Sequence, residues 1–95
     1  MKWRTDSIMA DYTNGAYCYL TGVEHNLDRH HCLNGALRDW SEKNGLWVYL
    51  NHEVHMALHH KNPKLARGLK MAAQQAYERT HTRDEWMQAV RKNYL

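Results

Sequence analysis

Three Asn-Gly dipeptides, Asn14-Gly15, Asn34-Gly35 and Asn44-Gly45, punctuate the first half of the chain and confine what lies between them to short elements. After the first, Ala16-Tyr17-Cys18-Tyr19-Leu20 is rich in aromatics and is closed by Thr21-Gly22, the pattern of a short strand running into a turn. A second short strand is expected over residues 29–33, stopped by Asn34-Gly35. Residues 36–43 read as a polar turn of helix before Asn44-Gly45 interrupts it. Leu46-Trp47-Val48-Tyr49-Leu50 then has the β-branched and aromatic content of the clearest strand in the chain. Residues 1–14 show no clear period and read as a loosely packed arm.

At Asn51 the period changes, with His55, Leu58 and His59 recurring at helical spacing, which predicts a helix to about Lys61 with Asn51 as its cap. Asn62-Pro63 restarts the chain with a cap followed by proline at the first helical position. In that next helix Leu65, Leu69, Ala72, Ala73, Ala76 and Tyr77 form one apolar stripe, expected to face the core, with Lys64, Arg67, Lys70 and Gln74 outside it. Thr82-Arg83-Asp84-Glu85 matches a capping box, so a last helix is expected to bury Trp86, Val90 and Met87. The expected fold class is therefore α+β, one domain over residues 1–95: an arm (1–15), a β-β-α core (16–61) and two C-terminal helices (62–95).

Composition narrows the function classes. Hydrophobic residues at 43% and a single proline belong to a chain that folds, and 95 residues suffice for one core. No stretch approaches the roughly 20 consecutive apolar residues that cross a bilayer. Met1-Lys2-Trp3-Arg4 is not followed by the apolar run of a secretory signal. Cys18 and Cys32 lack CxxC spacing and are too few for a disulfide framework, so a cytoplasmic setting is expected. The net charge of +3 leans mildly toward polyanionic partners.

Histidine is the unusual residue: of eight, six (His30, His31, His52, His55, His59 and His60) fall within a span of 31 residues. Chance at this content already gives a His-His pair about as often as not, so a pair by itself proves nothing. The context carries more weight, because His30-His31 lie in a candidate strand and His55 and His59, four residues apart, share one face of a candidate helix and could share one cation. Neighbouring strand residues point to opposite faces, so His30 and His31 reach one site only where the strand is twisted or bulged. Neutral imidazoles suit zinc, nickel, copper or iron, and magnesium where substrate phosphate supplies oxygens. A cation there with a further histidine to activate water fits phosphodiester hydrolysis.

The stretch from Cys18-x-x-Thr21-Gly22 through His30-His31 and Gly45-Leu46-Trp47-Val48-Tyr49-Leu50 to His55 and His59 resembles the core of HNH (ββα-metal) endonucleases. The C-terminal part, with its alanine-rich helix, Glu85-Trp86-Met87 and Arg91-Lys92-Asn93-Tyr94-Leu95, is similar to uncharacterised phage and prophage proteins that carry this core. The resemblance implies His31 as general base and His30, His55 and His59 as ligands of a divalent metal (Mg, Mn, Zn or Ni), with His60 the alternate if the register differs by one. It implies DNA as partner and a bacterial host cytoplasm as setting, and a nuclease of this size often pairs as a homodimer to cut both strands. Many relatives bind structural zinc through two CxxC pairs, where this chain reads Cys18 with Thr21 and Asn51 with Val54. The family's middle asparagine is replaced by Leu46, and Asn44 or Asn51 is left to substitute.

Blander readings stand beside these. Arg29 and Arg38 are candidate phosphate contacts or plain exposed arginines; Trp40, Trp47 and the tyrosines are core before they are stacking platforms. His52 is expected on the surface near the helix cap, and His25 and His81 in loops. The leading expectation is an HNH-type DNA endonuclease. The alternatives are a non-catalytic phage accessory domain keeping the same shape to bind DNA or protein, and a histidine-rich metal-binding protein.

Overall fold

The computed structural model describes residues 6–95, apart from the side chains of residues 59–61. Two strands, β1 (Leu27–His31) and β2 (Trp47–Asn51), pair antiparallel with Leu27 opposite Asn51, Arg29 opposite Tyr49 and His31 opposite Trp47. Between them the chain makes a 3-10 turn (Gly35–Leu37) and the short helix α1 (Arg38–Lys43). Three helices follow: α2 (His52–Lys61), α3 (Pro63–Glu78) and α4 (Arg83–Val90). This is a small mixed α+β fold. No helix among the described residues is long and apolar enough to cross a membrane.

The helices begin where the sequence places them. Asn51 accepts from the Glu53 amide to cap α2, Asn62 accepts from the Leu65 amide to cap α3, and Thr82 with Glu85 closes a reciprocal capping box on α4. Leu69, Ala73, Ala76 and Tyr77 bury the stripe of α3, where Trp86, fully buried, packs on Tyr77 and Trp40. The Trp86 indole N–H is donated to the Lys92 carbonyl at 2.8 Å, which satisfies its polar atom inside the core.

Several expectations are corrected. Residues 16–20 do not form a strand. Of their backbone amides, that of Tyr19 reaches β2, donating to the Tyr49 carbonyl at 2.8 Å, while the Cys18 amide bonds Val23 and the Gly22 amide bonds Cys18. The turn expected at Thr21-Gly22 is present, with φ of +81° at Gly22, but it closes back onto Cys18, whose amide and carbonyl are taken up by Val23 and Gly22 instead of a ladder. β1 starts and ends two residues earlier than the expected span 29–33, which brings Asp28 into the ladder. Leu33 leaves it because its amide turns to the Ser41 hydroxyl at 3.3 Å. Ser41 in turn donates to the Leu46 carbonyl at 2.6 Å, so one buried hydroxyl ties α1 between the two strands.

The N-terminal segment is not loose where it is described. Ser7 donates to the Trp47 carbonyl at 2.6 Å, the Ile8 amide to the Gly45 carbonyl at 2.9 Å, and the Tyr12 hydroxyl accepts from the Tyr49 amide. Gln74, expected outside the stripe, is fully buried. Its amide group donates to Glu78 and Asn93 and accepts from the Tyr94 amide, so every hydrogen-bonding need is met and the C-terminal tail is fastened to α3.

Candidate metal and hydrolytic site

Alternation along β1 sorts its side chains. Asp28 and His30 turn toward α2, while Arg29 and His31 share the opposite face with Trp47 and Tyr49. On α2, His52 and His55 are three residues apart and so sit on one helical face. Their Nδ1–H groups are donated to the same Asp28 oxygen, from His52 at 2.7 Å and from His55 at 3.0 Å. These bonds, His55 first and then His52, hold the Asp28 carboxyl below the usual carboxylate range.

Donation from Nδ1 leaves the lone pair of His55 on Nε2, and that nitrogen lies 3.3 Å from Nδ1 of His30. In this state His30 donates its Nδ1 hydrogen to that lone pair. Two nitrogens at about 2.0–2.1 Å from one tetrahedral ion also stand about 3.3 Å apart, so the pair would fit one edge of a zinc tetrahedron once His30 gives up that hydrogen. Asp28 behind His55 supplies the outer hydrogen bond that metal-binding histidines commonly have. His30 is 8% exposed. Two imidazoles with a carboxylate behind one of them fit a borderline divalent cation such as zinc or nickel. Among the described residues, no group of three or more His, Cys, Asp or Glu side chains converges on one point. The side chains of His59 and His60, an expected ligand and its alternate, lie outside the described residues.

His31 makes its contact on the other face, with Nε2 2.8 Å from Glu42 Oε1. Glu42 is also gripped by Arg29, whose Nε and Nη2 reach its two oxygens at 3.0 and 2.9 Å. The Arg29 guanidinium lies 3.4 Å over the Trp47 ring. Although His30 and His31 face opposite ways, both open on one cleft beyond the strand end, of about 290 Å³, lined also by Arg29, Asn34, Gly35, Arg38 and His55.

The cleft therefore gathers five of the residues singled out from sequence: His30, His31, His55, Arg29 and Arg38. Arg29 is held by Glu42, whereas Arg38 is exposed on the rim. Asn44 and Asn51 are used elsewhere: Asn44 donates to the Trp40 carbonyl at the end of α1, and Asn51 caps α2. Sequence reasoning missed Asp28, Glu42 and Asn34. Alternation with His30 was a signal for Asp28; nothing in the sequence linked Glu42 to His31.

The cysteines differ. Burial pushes the Cys32 thiol up to about 12, as suits a small core residue. At Cys18 burial also acts upward, but donation from the Asn51 amide, the Thr21 hydroxyl and the Leu20 and Thr21 amides outweighs it and lowers the thiol. Cys18 thereby fastens the turn after it to the junction of β2 and α2. No family model, curated protein or solved structure gives a significant match to the chain.

Proposed function

We propose that the protein is a metal-dependent DNA endonuclease of the HNH (ββα-metal) type, hydrolysing phosphodiester bonds. The observation that carries this reading is the carboxylate-backed His55, whose Nε2 meets His30 Nδ1 at tetrahedral spacing on a cleft that His31 and Arg38 also line. The order of elements, a strand bearing His30-His31, a second strand and a histidine-bearing helix, also supports it.

His30 and His55 would hold the cation, with His59 the third ligand expected from the sequence. A divalent cation supplies charge stabilisation to the phosphodiester and its leaving oxygen. His31 accepts a proton from water as general base. Arg38, exposed at the rim, pairs with a non-bridging phosphate oxygen. Asp28 keeps the His55 ring turned so that Nε2 presents its lone pair.

Relaxation of supercoiled plasmid by the purified protein with Mg²⁺, Mn²⁺, Zn²⁺ or Ni²⁺ tests the reading, beside EDTA and His31→Ala controls. Nicking that needs both metal and His31 is the expected result. Metal binding without nicking would favour a histidine-rich metal-binding protein. DNA binding that ignores both metal and His31 would favour the accessory domain.

A further inference from the structure

We propose that Glu42 is the positioning residue of His31, fixing it as the Nε2–H tautomer, and that Arg29 holds Glu42 in place for this task. The inference rests on the reading of His31 as general base.

An ionised carboxylate only accepts, and Glu42 sits in a two-pronged pair with an arginine that is always charged. Both of its oxygens are taken by Arg29, yet Oε1 also lies 2.8 Å from His31 Nε2. That ring nitrogen must therefore carry the hydrogen. A neutral His31 then has Nδ1 as its acceptor, on a ring that lines the cleft. Arg29 cannot slide away from the carboxylate, because its guanidinium is stacked on Trp47, the residue paired with His31 across the sheet.

All three side chains are mostly buried, with 19%, 12% and 11% exposure for Arg29, Glu42 and His31. Water therefore offers little replacement for the Glu42 bond. An arginine–glutamate pair serving only to join β1 to α1 has no need of the third donor. Sharing Oε1 is what couples the pair to the imidazole, and it accounts for a glutamate in the last turn of a short polar helix.

The test is long-range proton–nitrogen NMR of the full chain labelled at histidine, without metal, at a pH where imidazoles are neutral. His31 is expected as the Nε2–H tautomer, and Glu42→Ala is expected to give a tautomer mixture. In the nicking assay Glu42→Ala is expected to lower kcat roughly tenfold or more with KM little changed. Glu42→Gln, which preserves shape but leaves one acceptor oxygen for three donors, is the second variant should the alanine fold poorly; it is expected to lower kcat in the same direction. An Nδ1–H or mixed tautomer in the unmodified protein overturns the proposal, as does a kcat unchanged in both variants. A wild-type protein that nicks nothing refutes the nuclease reading instead, and the tautomer then decides the placement of His31 by itself.

Discussion

His55 gives its Nδ1 hydrogen to Asp28 at 3.0 Å, and that one bond decides which nitrogen it turns toward His30. Asp28→Asn places an amide where the carboxylate was, free to present its NH₂ group and invite the opposite tautomer. Zinc or nickel affinity measured by calorimetry should fall about 10- to 100-fold. An unchanged affinity would mean that the helix alone aims the ring.

Asp28 also binds His52, but the two histidines are not equivalent. His52 is 52% exposed and has no place in the cleft lining, whereas His55 is 18% exposed and forms part of it. His55→Ala should remove metal-dependent nicking. His52→Ala should leave nicking within a few fold of wild type. Equal losses in the plasmid assay would show that the whole Asp28 cluster, rather than the His30–His55 pair, is the centre.

Gly45 carries φ of +69°, and a Cβ built there would stand 2.5 Å from the Asp6 carbonyl oxygen and 3.1 Å from the Ile8 amide nitrogen. Backbone cannot step aside as a flexible side chain can. Gly45→Ala should cost more than about 1 kcal/mol in urea unfolding, through both the strained backbone and the displaced N-terminal segment. Gly68, in α3, has nothing within 4 Å of an added Cβ, so Gly68→Ala should stabilise modestly. A reversal of that order would contradict the described packing of the arm.

Acid should loosen the last helix. The Thr82 amide and then its hydroxyl hold the Glu85 carboxyl below its ordinary value. Hydrogen bonding from Gln74 does the same to Glu78; burial opposes it, and the weaker pairing with Arg83 adds to the lowering. A carboxyl lowered in the folded state contributes stability above its unfolded pKa and loses it as pH falls through the lowered value. The difference in urea midpoint between wild type and Glu85→Gln should therefore shrink from neutral pH to the acid side of the carboxylate range. A difference that grows with acid would give the shift the wrong sign.

Much of the architecture was legible because it is local. Caps at Asn51, Asn62 and Thr82 act within three residues, and the α3 stripe repeats along one helix, so sequence spacing suffices. Residues 16–20 misled because their aromatics serve the sheet by packing: Tyr17 meets Tyr12, while a single amide, that of Tyr19, enters the ladder. Gln74 misled because polarity usually means exposure, and its burial depends on a tail some twenty residues onward, at Asn93 and Tyr94. The histidines of the cleft could be picked out by residue type. Asp28 could have been found by its alternation with His30, but Glu42 could not, since it reaches His31 only after α1 folds back between the strands.

The ribbon of β1 and β2 is one sheet thick, and consecutive histidines stand on its two sides. Each side has its own carboxylate: Asp28, on β1 itself, stands behind His55 of α2, and Glu42, on α1, stands behind His31. The two histidine–carboxylate pairs thus hang on separate mechanical supports. Under the proposed nuclease reading, a change on one side would disable proton transfer alone and a change on the other metal holding alone, without unravelling the strand that carries both histidines.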